Sequence, residues 1–277
     1  MADKPKFMVK FWGVRGSIPC PGRSYQRYGG NTCCVELRCG DHTIIFDAGT
    51  GIRPLGNELA KNKSLDSDIF FSHAHLDHIS GFPFFAPAFN PRNKFRIWSA
   101  VFDQQIPMKE VFAKLTASPM FPVSFEIFNA HFDFKTFEPG DRIKLKDGIE
   151  LATVRLNHPQ GATGYRVEFA EKSVCYITDT EHKQGEIDHD IKELIKGADI
   201  VIYDATFTDE QYPNYAGWGH STWQEGVKLC NAASAERLVI FHHDPGNDDI
   251  AMDEISQKAE QSRPGTLVAM EGMELNI

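Results

Sequence analysis

One segment constrains this chain more than any other: DIFFSHAHLDHISG, residues 68–81. An apolar run of strand character ends in His73, His75, Asp77 and His78. Residues two apart in an extended backbone point the same way, so His73 and His75 share a face. Asp77 and His78 then open a turn or helix and can meet the same cavity from another side. Three imidazoles and a carboxylate within six residues suit a divalent cation of the zinc class. A polar loop that happens to be histidine-rich would not be expected to carry four ligand-type residues at this spacing.

Composition narrows the setting. The 277 residues carry 29 Lys+Arg against 38 Asp+Glu, a formal net charge of −9. A protein that grips long nucleic acid usually shows a basic stripe, so a large nucleic-acid partner is not expected. A local positive site, such as a metal pair, remains compatible. A chain this long buries a large core without disulfide staples. None of its six cysteines forms a CxxC pair, and all read as buried or half-buried thiols of a cytoplasmic protein. The charge-free stretch 79–91 is too short and too Pro-broken to span a membrane. The N-terminal MADKPKFMVKFWG lacks the apolar stretch of a secretory signal.

Short apolar runs alternate with helical stretches to the end of the chain. Strands are predicted at Phe7–Phe11, Thr32–Arg38, Thr43–Asp47, Ile69–Ser72, Phe95–Trp98, Ile149–Leu156, Gly164–Phe169, Ser173–Ile177, Ile200–Tyr203, Arg237–Phe241 and Thr266–Ala269. Helices are predicted near Gly51–Asn62, Met108–Ala117, Asp188–Lys196, Thr222–Ala233 and Asp248–Ser262. Ser221 and Gln224 form a capping-box pattern before the fourth. The interleaving predicts a layered α/β sandwich in one domain, residues 1–277. Residues 82–137, rich in Pro and Phe, read as an insertion packed on that sandwich, with a cap over a pocket or a dimer surface as the alternative.

The H-x-H-x-D-H motif resembles the metallo-β-lactamase superfamily, whose fold is a four-layer αββα sandwich. There the motif supplies ligands to two adjacent metal ions, with further ligands at later strand ends. VRLNHPQGATGYRV, VCYITDTEH and LVIFHHDPG offer them in order. The resemblance implies that His73, His75 and His158 hold one metal, that Asp77, His78 and His242 hold the second, and that Asp179 bridges. Zinc is the default for these donors, and manganese or iron fits the same set. Asp47 in IIFDAGTG resembles a residue that supports the ligand histidines, or is a turn-former before Gly49. Arg15 and Asn31, in glycine-rich loops, read as turn chemistry or as phosphate contacts.

FWGVRGSIP (residues 11–19) and GGNTCCVEL (residues 29–37) resemble one branch, which groups with RNase Z, the tRNA 3′-processing endonuclease, and with small phosphodiesterases. Asp204 in IYDAT and His220 in GHSTWQEG match a pair that those relatives carry and true lactamases lack. Two dications a few ångströms apart activate a shared water and clamp a phosphodiester. Asp77 would hold that water, and His220, oriented and kept cationic by Asp204, would protonate the leaving alkoxide. The expected function is hydrolysis of a small phosphodiester, with a cyclic nucleotide or related cyclic phosphate as lead substrate. The alternatives are tRNA 3′ processing, for which no long Lys/Gly-rich arm is seen, and a non-catalytic metal-binding ligand sensor. The resemblance also allows a homodimer.

Overall fold

The computed structural model describes residues 6–102 and 106–277. Its strands form two seven-stranded sheets. The first holds β1 (Phe7–Gly13), β2 (Cys34–Cys39), β3 (His42–Phe46), β4 (Asp66–Phe71), β5 (Lys94–Ala100) and β6 (His131–Phe137). The second holds β7 (Arg142–Lys144), β8 (Glu150–Leu156), β9 (Ala162–Phe169), β10 (Lys172–Ile177), β11 (Ile200–Asp204), β12 (Arg237–Phe241) and β13 (Leu267–Val268). The C-terminal β14 (Glu274–Asn276) returns to the first sheet and pairs with β1. β3 to β6 run parallel, as do β10 to β13. Antiparallel hairpins complete both sheets.

Period-two alternation sorts the side chains into layers. In β4, Phe70 turns toward the second sheet, while Ile69 and Phe71 turn the other way. In β11, Ile202 turns inward, and Val201 and Tyr203 outward. The inward set from both sheets makes the central core. The outward sets meet helices. α1 (Ile52–Leu59), the short α2 (Leu76–Ile79) and α3 (Met108–Leu115) cover the first sheet. α4 (His189–Leu194), α5 (Trp223–Ala232) and α6 (Asp249–Ser262) cover the second. Three cores between four layers make the expected αββα sandwich. No helix among the described residues is long and apolar enough to cross a membrane.

Segment 82–137 is woven into the sandwich, because it supplies β5 and β6 of the first sheet. Its phenylalanines fill the outer core: Phe82 stacks on Phe112 at 4.0 Å between centroids, and Phe125 stacks on Phe112 at 6.0 Å. Strands β6, β7 and β14 were not expected from the sequence. All three are edge strands: β7 and β14 are only three residues long, and the alternating Phe132 and Phe134 of β6 lie in the Phe-rich segment read as an insertion. The α5 cap also differs from expectation. Thr222 accepts from the Glu225 amide at 3.1 Å and is the N-cap. Ser221 instead contacts His182 and Tyr203 through its hydroxyl.

One buried charge ties three strands of the first sheet together. Asp68 of β4 receives His42 of β3 and Arg96 and Trp98 of β5, at 2.7–2.9 Å.

Candidate metal centre

Each predicted ligand, and Asp204 beside them, lies at a strand end or in the turn or short helix beyond it. His73 and His75 follow β4, Asp77 and His78 sit in α2, and His158 follows β8. Asp179 follows β10, Asp204 ends β11 and His242 follows β12. Parallel register between β10, β11 and β12 brings the last three to one edge. This is where ligands gather in open α/β sheets, outside the carboxyl ends of the strands.

The side chains form two abutting donor sets. In each, the donor atoms lie within 4.8 Å of one another. The first set is His73, His75, His158 and Asp179, and the second is Asp77, His78, Asp179 and His242. Asp179 belongs to both. Its Oδ2 lies 3.6 Å from Nε2 of His73 and of His158. Its Oδ1 lies 3.2 Å from His78 Nε2 and 3.3 Å from His242 Nε2. Asp77 Oδ2 stands 3.3 Å from the same two nitrogens. Spacings of this size are those of donors about 2.0 Å from a common centre in a tetrahedral site.

Two further observations fit the residues to a cation. His73 Nε2 and His78 Nε2 are buried and have no hydrogen-bond partner. The opposite ring nitrogens are held from behind. His73 Nδ1 meets Ser72 Oγ at 3.0 Å, and His78 Nδ1 meets Asp47 Oδ2 at 2.8 Å. His158 Nδ1 donates to the Gly219 carbonyl at 2.7 Å, and His242 Nδ1 meets Thr206 Oγ1 at 2.9 Å. His75 uses Nε2 on Gln160 Oε1 at 3.1 Å, and its Nδ1 is 3.0 Å from His158 Nε2. Outer partners of this kind fix the tautomer and orientation of a metal-binding imidazole. Asp47 has the supporting place expected of it, and also receives the Ser72 amide and hydroxyl and the Tyr176 hydroxyl.

The backbone is strained to make this cluster. Asp47, Asp179 and His242 have φ of 59°, 51° and 60°. Such conformations cost non-glycine residues of order 1 kcal/mol each and persist where the surroundings over-determine them. Close approach also explains two glycines. A Cβ on Gly16 would collide with the His242 ring, and one on Gly219 with the His158 ring.

The electrostatics call for positive charge here. Burial alone would raise Asp77 and Asp179, but the surrounding histidines, His78 and His242 foremost, hold both carboxyls far below the usual range. Burial would lower His78 and His242, yet Asp179 holds both above the ordinary imidazole value. On the other side, burial lowers His73 and His158, which favours the neutral, metal-binding form.

His220 completes the cleft. Its Nδ1 meets Asp204 Oδ2 at 3.0 Å, and its ring stacks on His242 at 4.8 Å and lies 5.3 Å from that of His158. Asp204 does more than the sequence indicated. Its Oδ1 accepts from Thr206 Oγ1 at 2.7 Å, and that hydroxyl in turn meets His242 Nδ1. Thr206, unweighed in the sequence although it lies in IYDAT, therefore links the Asp204–His220 pair to the second donor set.

Other candidates fall outside the cleft. Arg15 is buried and spends its guanidinium on the carbonyls of Gly29, Asp244 and Asn247. Asn31 pairs with Glu271. His243 points away from His242 and bonds the Ala269 carbonyl. Cys33 is the exception among the thiols: its sulfur lies within 4.8 Å of donor atoms of His78 and His242. All six cysteines are buried and free.

A four-layer sandwich with paired His/Asp donor sets at its strand ends is the architecture of a metal-dependent hydrolase. Residues 42–243 match the beta-lactamase superfamily domain, and the chain belongs to that family. It is 21% identical over 311 residues to Ribonuclease Z of Picrophilus torridus, across 98% of this chain and 96% of that protein. Among solved structures it resembles the metallo-beta-lactamase fold protein YhfI of Bacillus subtilis, with a TM-score of 0.74 and 18% identity, covering 99% of this chain and 100% of that one. It also resembles a diphosphatase from the PhnP family, with a TM-score of 0.72 and 18% identity, covering 98% of each chain. Membership in a family of metal-dependent hydrolases sets aside the reading as a non-catalytic sensor.

Proposed function

We propose that this chain is a two-metal phosphodiesterase acting on a small phosphodiester, with a cyclic nucleotide or related cyclic phosphate as lead substrate. The carrying observation is the Asp204–His220 pair standing beside the two donor sets. His73, His75, His158 and Asp179 Oδ2 would hold one cation, and Asp77, His78, Asp179 Oδ1 and His242 the other. When bound, two divalent ions, proposed to be zinc, supply an activated water near neutral pH and offset charge on the phosphoryl oxygens.

The protein's own groups do the rest. Asp77 is anchored by the Ser17 amide, which donates to its Oδ2 at 2.7 Å, and the carboxylate would orient the attacking water. Asp204 accepts from His220 Nδ1, which leaves Nε2 for the substrate. His220 Nε2–H would then protonate the departing oxygen.

A second reading, tRNA 3′ processing, draws on the relatives named Ribonuclease Z, which align with nearly the whole chain. The surroundings of the site favour the small substrate. The large exposed hydrophobics Ile18, Leu76 and Phe84 line one cleft at the site, and Leu76, Ile106 and Met120 line another. Among the described residues their cations are Arg53 in one and Lys114 in the other. An RNA-gripping face needs many phosphate contacts.

The test is metal analysis of the purified protein beside an assay panel of cyclic nucleotides, an aryl phosphodiester and a pre-tRNA. Two metals per chain with small-diester turnover is the expected result. Efficient, salt-sensitive pre-tRNA cleavage without small-diester turnover would overturn the proposal.

A further inference from the structure

We infer that the cleft between α2 and α3 is a subsite for an aromatic ring carried on one arm of the substrate, most simply a nucleobase. The cleft has a volume of about 470 Å³, in the range of small-molecule sites. It borders the metal centre, because His75 of the first donor set is among its lining residues. Leu76 and Ile79 of α2, Val111 and Leu115 of α3, and Met120 line it. Leu76 and Met120 are 66% and 75% exposed, which is a large apolar surface to leave in water beside a polar centre.

Charge supports the same occupant. The chain has nine more acidic than basic side chains, yet among the described residues no carboxylate lines this cleft. Among the described residues that line it, the charged group is Lys114, whose side chain is 62% exposed and pairs with Glu110. An alkyl chain would gain only burial from such walls. A ring gains burial together with a thioether contact from Met120 and a cation near its face or polar edge from Lys114. A second apolar cleft of about 410 Å³ lies across Leu76, lined by Ile18 and Phe84, and Asp77 lies at its margin. Leu76 is thus a ridge between two arms of one diester, with the phosphate over the donor sets.

This inference rests on the phosphodiesterase reading, and its test separates the two. Phosphonates carry one arm each and are not turned over. Calorimetry on the zinc-loaded protein should show phenylphosphonate binding at least about tenfold tighter than methylphosphonate, as burial of a ring predicts. Met120→Asp should abolish that preference, while Val123→Asp, outside the cleft, should keep it. Equal affinities for phenyl and methyl would overturn the subsite. So would a preference for octylphosphonate over phenylphosphonate, or a preference lost in Ile18→Asp but not in Met120→Asp. If no diester is hydrolysed but the Met120-dependent preference stands, the phosphodiesterase reading fails and the subsite survives.

Discussion

His220, Asp204 and Thr206 can be separated by what each touches. His220 belongs to neither of the two donor sets that share Asp179, although its donor atom lies within 4.8 Å of those of Asp204 and His242, and His220→Ala should leave metal content intact if its role is proton donation. Its kcat on a cyclic nucleotide should fall by roughly 10²–10⁴, with far less loss on a nitrophenyl diester, whose leaving group needs no proton. Equal losses on both substrates would make His220 a positioning residue. Thr206 supports His242 directly. Thr206→Val should therefore weaken metal binding at the second site by about 10–100-fold, read by metal titration. Asp204 serves both neighbours, so Asp204→Asn should show a milder leaving-group effect together with some metal loss. From the sequence alone, Asp204 would have been expected to spare the metal.

At the scale of elements, two polar devices carry checkable stability. Thr222 caps α5 and also donates to Asp209. Thr222→Ala should destabilise by about 1 kcal/mol in denaturant unfolding, more than Ser221→Ala costs the helix. The second device is Asp68. Burial pushes its carboxyl up, but His42, Arg96 and Trp98 prevail and bring it down to about 2. A folded-state value below the unfolded one, about 3.9, stabilises the fold above that pH. The stabilisation, about 2–3 kcal/mol, is lost as pH falls from about 4 through about 2. Asp68→Asn should lower stability at pH 7 by that order and flatten the acid limb of a stability–pH curve. An unchanged acid limb would show that the network tying β3, β4 and β5 together carries no pH-dependent stability.

The whole molecule couples metal to fold, since the donors come from both sheets and converge only in the native state. At free metal about 100-fold above its Kd, binding adds about 2.7 kcal/mol. Chelation should then lower Tm by about 5–10 °C and abolish turnover, and re-added metal should restore both. Net charge of −9 and the apolar surroundings of the site predict weak salt dependence. Between 50 and 200 mM salt, small-diester turnover should change by less than about twofold, where a phosphate-tracking surface would lose about 10³-fold.

Residues 68–81 placed a strand before His73 and a turn or helix at Asp77 by local chemistry alone, and the structure has β4 and α2 there. Apolar runs placed strand ends before His158, Asp179 and His242, because strand alternation and its termination are local properties, but the family resemblance was needed to pick those three as ligands. Edge strands β7 and β14, three residues each, were too short to carry a pattern, and the alternation of Phe132 and Phe134 in β6 was read as part of an insertion. The sequence also could not show which way Arg15 or Asn31 pointed, or that Thr206 joins Asp204 to His242. Asn31 reaches Glu271 across 240 positions, Arg15 reaches Asp244 and Asn247 across 229 and 232, and Thr206 reaches His242 across 36. Only the packing of two sheets closes such distances, and only that packing buries Asp179 between two histidine sets, where one carboxylate faces both.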